Sequence, residues 1–332
     1  MSRAYWGDMT PRSFPPELDH DYQGVKFHVK HPAAPAIAVT DLGKTFGTFR
    51  ALDGLSMTVE QGSVHGFLGP NGSGKSTTIR TLLGLLHPTE GSVRVLGEDP
   101  ARTPQILARV GYVPGDVALW PTLTGAEVLR ALESLRGRPS NRRKEQELID
   151  AFQLDVRKRT REYSTGNRRK VSLIAALSID ADVLILDEPT AGLDPLMEQV
   201  FIEQIRAAHA EGTTVLLSSH IMAEVEKLCD HVTVIKDGRV VEDGTLTQLR
   251  HLSAHSVSAR LPDAAAFLAR HPAAAHDGET VTLTVERADL STTLREVLDA
   301  GGEDVLSQPA SLEEIFLEHY EVAPAEGGRH DR

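Results

Sequence analysis

Nine consecutive residues, Gly69-Pro70-Asn71-Gly72-Ser73-Gly74-Lys75-Ser76-Thr77, constrain this chain more than any other stretch. They contain the pattern G-x-x-x-x-G-K-[ST], a phosphate-binding loop. Gly69, Gly72 and Gly74 let the backbone turn tightly and bring N–H groups close to phosphate oxygens. Lys75 reaches the terminal phosphates, and the Ser76 hydroxyl is placed to hold Mg²⁺. Residues 63–68 read as a short strand before the loop. Ile79, Leu82, Leu83 and Leu86 recur at i, i+3, i+4 and i+7 after it, which predicts a helix whose N-terminus faces the phosphates. The alternative is a glycine-rich turn without chemistry; the agreement of strand, loop and helix argues against it.

Two later strands supply groups that can meet this loop. Val183-Leu184-Ile185-Leu186 is an unbroken apolar run, as in a buried parallel strand, and it ends in Asp187-Glu188-Pro189. Residues 214–218 repeat the form and end at Ser219-His220. Strands alternating with helices predict an α/β fold with a mostly parallel sheet, whose ligands bind at the carboxyl ends of the strands. Asp187 then has the position to hold Mg²⁺ through water. Glu188 has the type and position of a general base for a water attacking a γ-phosphate. A purely structural acid pair is the alternative.

Around this framework the chain divides by pattern. Residues 1–35 carry five prolines and little periodicity, and read as a disordered tail. Residues 36–40, 55–59, 92–95 and 110–113 read as strands, the last ending at Pro114-Gly115-Asp116. From 124 to about 177 the pattern is helical and heavily charged. Residues 231–235 and 239–241 form a β-rich end with a turn at Asp237-Gly238. Beyond about 251, strands are expected at 255–261, 280–285 and 304–307, with helices at 264–270, 290–298 and 312–320. Ser311 and Glu314 make a capping box for the last of these. Residues 321–332 read as a polar tail.

The net charge of -12 argues against a general nucleic-acid binder, so no nucleic-acid partner is expected. Cys229 is the only cysteine, which excludes an intrachain disulfide and fits a reducing cytosol. No run approaches the ~18 apolar residues of a membrane-spanning helix. A role at a membrane therefore needs another chain to cross it.

Three further motifs, taken in order with those above, resemble the nucleotide-binding subunit of an ABC transporter over about residues 36–248. Tyr163-Ser164-Thr165-Gly166-Asn167 resembles the family's LSGGQ signature in variant form. Ala191-Gly192-Leu193-Asp194 resembles the loop after the carboxylates, and His220 the switch histidine. The resemblance implies a P-loop NTPase core with an antiparallel β region, a helical subdomain at about 117–180, and a small α+β domain over about 249–320. It implies ATP and Mg²⁺. It also implies head-to-tail pairing with a second copy or a paralogous nucleotide-binding subunit, so that Ser164, Gly166 and Asn167 of one subunit close on the nucleotide held by the other. Asp194 would cross that interface, His220 would contact the γ-phosphate, and Phe46 would stack on the base rather than lie in the core.

The stretch 164–170 and the stretch 311–317 resemble the drug- and antibiotic-exporter branch. That branch pairs with a separate transmembrane permease and works peripherally at the cytoplasmic face of the cell membrane. An importer ATPase and a non-transport soluble ABC ATPase are the alternatives. One position departs from the family: where a glutamine usually links Mg²⁺ and the attacking water to the permease, this chain has Gly115. Asp116 beside it is a candidate to take over part of the Mg²⁺ contact, with backbone or water as the alternative.

Overall fold

The structure, a computed structural model, describes residues 34–248, 255–286 and 289–309. Its first elements are β1 (Ile37–Phe46), β2 (Phe49–Val59), β3 (Val64–Leu68), α1 (Lys75–Leu82), β4 (Glu90–Val95) and β5 (Val110–Val113). Then come α2 (Gly125–Arg136), α3 (Arg142–Ala151), α4 (Thr165–Leu177), β6 (Val183–Asp187), α5 (Pro195–Ala210), β7 (Thr214–Ser219) and α6 (Met222–Leu228). The remainder are β8 (His231–Lys236), β9 (Arg239–Thr245), β10 (His255–Arg260), α7 (Ala264–Leu268), β11 (Ala275–Asp277), β12 (Thr280–Val285), α8 (Leu290–Asp299) and β13 (Glu303–Pro309).

Every residue of β3, β6 and β7 is buried. Strands of that kind need both faces covered. They occupy the middle of a six-stranded sheet ordered β5-β6-β7-β3-β8-β9. Its neighbouring strands pair in parallel except β8 with β9. Side chains alternate between its faces. Leu184, Leu186, Val215 and Leu217 join a core with Val128, Ile174, Phe201 and Val225 from the helices. Val183, Ile185, Leu216 and Phe67 join another, with Ile79 and Leu82 of α1 and with Ile37, Leu52 and Leu55. The last three belong to an antiparallel sheet ordered β2-β1-β4.

Register decides where the chemistry lies. Leu68 pairs with Ser219, Ser218 with Asp187, and Leu186 with Val113. The loops that follow these positions therefore leave the sheet along one edge.

Local chemistry shifts several expected boundaries. The strands expected at 36–40 and 55–59 run on to a turn at Gly47-Thr48, where Gly47 takes φ 58° and Phe46 pairs with Phe49. The helix expected to reach Leu86 stops at Leu82, because Gly84 enters the left-handed region at φ 66° and Leu85 is solvent-exposed. Thr124 caps α2 through a reciprocal capping box with Glu127, and Gly137 ends it at φ 71°. Toward the C-terminus a four-stranded antiparallel sheet, ordered β11-β12-β10-β13, packs Val257, Val281 and Leu283 with Phe267 of α7 and Val297 of α8. The short β11 had no sequence signal. The tail expected over 1–35 lies outside the described residues apart from 34 and 35. So do the helix expected at 312–320, its capping pair Ser311 and Glu314, and the tail at 321–332.

One close packing joins the sheet to the helices. A Cβ added at Gly111 would lie 2.5 Å from Leu184 Cδ2 and 2.7 Å from the Ala176 carbonyl oxygen. β5 and α4 therefore approach at backbone distance. Gly111→Val is expected to lower stability by about 1–3 kcal/mol through overpacking, read as a lower urea midpoint with the far-UV spectrum retained.

Candidate functional site

The phosphate loop is shaped by exclusion as much as by flexibility. Gly74 caps α1 at φ 112°, and a Cβ there would lie 2.6 Å from Leu52 Cδ2. A Cβ at Gly69 would lie 2.4 Å from the Ile235 carbonyl oxygen and 2.5 Å from Ser73 Oγ. The turn between β8 and β9 holds the loop from the other side, with Gly238 N–H donating to the Ser73 carbonyl at 2.9 Å. Ser73 Oγ is buried and has no partner among the described residues. The first turn of α1 contains no acidic side chain, so its N-terminal dipole is left for an anion. Asn71 and Gly72 are exposed at the tip; Ser76 and Thr77 are partly buried on the first turn.

Lys75 is almost fully buried. Its ammonium donates to the carbonyl oxygens of Gly69 at 2.5 Å and Pro70 at 3.1 Å. Glu188 Oε1 lies 3.6 Å away. Burial pulls the Lys75 pKa down, and the charges of Glu188 and Asp187 oppose that shift.

The two carboxylates are anchored by one serine. Ser218 Oγ donates to Asp187 Oδ1 at 2.6 Å, and the Glu188 N–H donates to the Ser218 carbonyl at 3.1 Å. Glu188 adopts φ 50°, the left-handed region, which costs a non-glycine residue about 1–3 kcal/mol. That turn swings its carboxylate back over the strand ends. There Glu188 Oε2 lies 2.5 Å from His220 Nδ1 while Oε1 faces Lys75. Lys75, Glu188 and His220 thus form one contact chain drawn from three loops.

The segment 164–167 is built differently. Ser164 caps α4, accepting from Asn167 N–H at 3.3 Å. A Cβ at Gly166 would lie 2.5 Å from the Gly192 carbonyl oxygen, so this glycine permits contact between two loops of the same chain. Asp194 caps α5, accepting from Met197 N–H at 3.0 Å. No hydrogen bond among the described residues joins 164–167 to 69–77. Phe46 ends β1 half-exposed, with the Lys44 ammonium 5.0 Å from its ring centre, so it is not a core residue.

Comparison with known proteins decides the family. The model for "ABC transporter" matches residues 52–191. The daunorubicin/doxorubicin resistance ATP-binding protein DrrA of Streptomyces peucetius is 42% identical over 235 residues, covering 69% of this chain and 71% of that relative. The Nod factor export ATP-binding protein I of Burkholderia lata is 35% identical over 299 residues, covering 86% of this chain and 97% of the relative. The chain belongs to the ATP-binding subunits of ABC transporters. A solved ATP-binding subunit of an ABC transporter superposes with a TM-score of 0.61 at 31% identity, over 65% of this chain and 92% of that one. The chain is therefore an ABC ATPase whose relatives are of the export type.

Several residues around this ABC site escaped the sequence reading. Arg169 of α4 is buried and donates to the carbonyl oxygens of Pro114 and, at 2.5 Å, Gly115, and to that of Ala191 at 3.4 Å. Burial lowers its pKa, while Asp116, Asp187 and Glu188 act against that. Gly115 itself packs on the acidic pair: a Cβ there would lie 3.2 Å from Asp187 Oδ2. Glu224 is buried too, accepting from Thr190 and Ser219. Nothing in the periodicity separates Arg169 or Glu224 from the charged residues beside them. Their burial comes from loops remote in sequence.

Away from the site, His65, His231 and Asp243 form a cluster of metal-capable side chains. Hydrogen bonding accounts for it. His65 Nε2 is 2.8 Å from Thr233 Oγ1, which in turn donates to Asp243. Burial lowers the His65 pKa to about 4.

Replacing Lys75 removes a buried cation whose ammonium lies within the loop. Lys75→Ala is expected to weaken ATP binding about 10- to 100-fold, the worth of one or two charge-assisted hydrogen bonds, as measured by titration calorimetry.

Proposed function

We propose that this ABC ATPase drives export of a small molecule (a drug, an antibiotic or a lipid-like compound) through a separate transmembrane permease. The observation that carries the hydrolytic part is the contact chain in which Glu188 lies between Lys75 and His220. The backbone amides of residues 69–74 cradle the phosphates, and Lys75 contacts the terminal ones. The orphaned Ser73 hydroxyl and the uncompensated α1 dipole fit an anionic ligand there. Ser76 and Asp187 offer the hard oxygen ligands that Mg²⁺ prefers. When bound, Mg²⁺ neutralises charge developing on the transferred phosphate. Glu188 orients the attacking water and takes its proton. His220 reads the γ-phosphate through one imidazole nitrogen while the other faces Glu188. Phe46 presents an exposed ring to the base.

The other wall of the site comes from a second subunit, identical or paralogous. Ser164 is exposed and the first turn of α4 has no acidic residue, so this helix N-terminus suits a phosphate held by another chain. Gly166 and Asn167 lie on the same turn, and Asp194 sits on the adjoining loop. Arg169 ties that turn to Gly115 and Ala191, linking it mechanically to the loops after β5 and β6. Asp116 is exposed beside it and remains a proposed partial replacement for the family's glutamine. The nucleotide-binding domain spans 36–248 with its helical part at about 117–180, and the domain at 249–320 stabilises the dimer. No helix among the described residues is long and apolar enough to cross a membrane. The relatives' names, drug resistance and Nod factor export, support the export reading. Pairing with a permease would then put this chain at the cytoplasmic face of the membrane.

Glu188→Gln is expected to bind ATP normally and to lower turnover about 10²- to 10⁴-fold, read by phosphate release; rapid turnover would remove Glu188 as the base. Ser164→Arg is expected to be inactive yet to bind ATP. Mixed with Lys75→Ala it should regain activity, because a head-to-tail pair of the two variants contains one intact composite site. Two dead variants that stay dead on mixing would refute the shared site.

A further inference from the structure

Glu188 and His220 stand on different loops, one after β6 and one after β7. Their 2.5 Å contact depends on the separation of those loops. Strand pairing holds the roots, where Asp187 pairs with Ser218, but the ladder ends there. Immediately beyond, Glu188 takes its left-handed conformation, which relaxes unless neighbours hold it.

Besides the Glu188–His220 contact itself, the Glu224 side chain joins the two loops past the end of the ladder. Glu224 Oε1 accepts from Thr190 Oγ1 at 2.5 Å, two residues after Glu188. Glu224 Oε2 accepts from Ser219 Oγ at 3.0 Å, the residue before His220. Ser219 Oγ is itself fixed, accepting from Ile221 N–H at 2.9 Å. Glu224, Thr190 and Ser219 are 8%, 5% and 1% exposed, so water does not compete for these bonds. The base of the bridge is rigid, since its neighbours Met222 and Val225 on α6 lie in the helix-side core.

The choice of a carboxyl group is informative. Its two oxygens take one hydroxyl from each loop, a forked reach that an apolar side chain cannot make. No ion pair to Glu224 occurs among the described residues. Burial pushes its pKa up, and Glu198 and Glu188 add to that shift. A buried acid without a cation costs stability that an apolar side chain of similar volume would not. The cost implies a return elsewhere, and the two loops it joins carry the hydrolytic pair.

We propose that Glu224 is a positioning residue: its carboxyl group bridges the loops after β6 and β7 and sets the separation of Glu188 and His220 needed for hydrolysis. The proposal rests on the roles given above to those two residues. In the full-length chain, Glu224→Ala is expected to lower kcat about 10- to 100-fold, the cost of a small misplacement of reacting groups, with the ATP dissociation constant within about twofold of the original. Glu224→Gln should rescue most of the rate, since its amide accepts from one hydroxyl and donates to the other. Thr190→Val, which cuts one arm, should lower kcat alone but add nothing to Glu224→Ala. Glu188→Gln run alongside separates the two claims. If it is inactive while Glu224→Ala and Thr190→Val keep full turnover, the bridge alone is overturned. If Glu188→Gln itself turns over freely, both are overturned. A Glu224→Gln as slow as Glu224→Ala, or parallel losses of kcat and ATP affinity, also overturns the bridge. Should Glu224→Ala fail to fold, Thr190→Val and Glu224→Gln carry the test.

Discussion

Parallel pairing between β3, β7 and β6 is the interaction on which everything else depends. It places Leu68 beside Ser219 and Ser218 beside Asp187. A slip of one residue would send each side chain to the opposite face and exchange the two cores. It would also separate Lys75 from Glu188. The register is held by burial on both faces, because Leu184 and Leu186 fit only the helix-side core while Val183 and Ile185 fit only the other. Packing energy spread over two apolar cores thus fixes a site made of a few polar groups.

The site is then tied to the helices by close backbone contacts. Gly111 lets β5 meet α4, Gly166 lets the start of α4 meet Gly192, and Arg169 spans the loops after β5 and β6. The start of α4 therefore cannot move without disturbing Gly115, which packs on Asp187. Interiors packed this tightly transmit displacement instead of absorbing it. That is the mechanical property a nucleotide-driven clamp needs. It resides in groups with no phosphate chemistry of their own.

Much of the fold was legible in the chain. The unbroken apolar runs at 183–186 and 214–218 announced central parallel strands, and both are buried throughout. The phosphate loop, its strand and its helix followed from local pattern. Boundaries were less legible: the helix after the loop ended at Leu82 because Gly84 turns left-handed, and the hairpin strands ran on to Gly47. Of the site, Lys75 was nameable from the phosphate-loop pattern, and Glu188 and His220 because each follows directly on the end of a buried strand. Glu224 and Arg169 were not, because charged helical residues read as solvated until the loops that bury them are in place.

The sequence by itself determined the family, the alternation of strands with helices and the chemical types at the phosphate loop. These depend on spacing and on side-chain identity, which are local. The tertiary structure alone decided that Glu188 faces both Lys75 and His220, that Gly166 serves contact with Gly192, and that Glu224 joins two loops from below. Most of those relations connect residues remote in the chain, as between Gly166 and Gly192 or Lys75 and Glu188. No local pattern encodes them, because the free energy that holds them comes from the packed sheet as a whole.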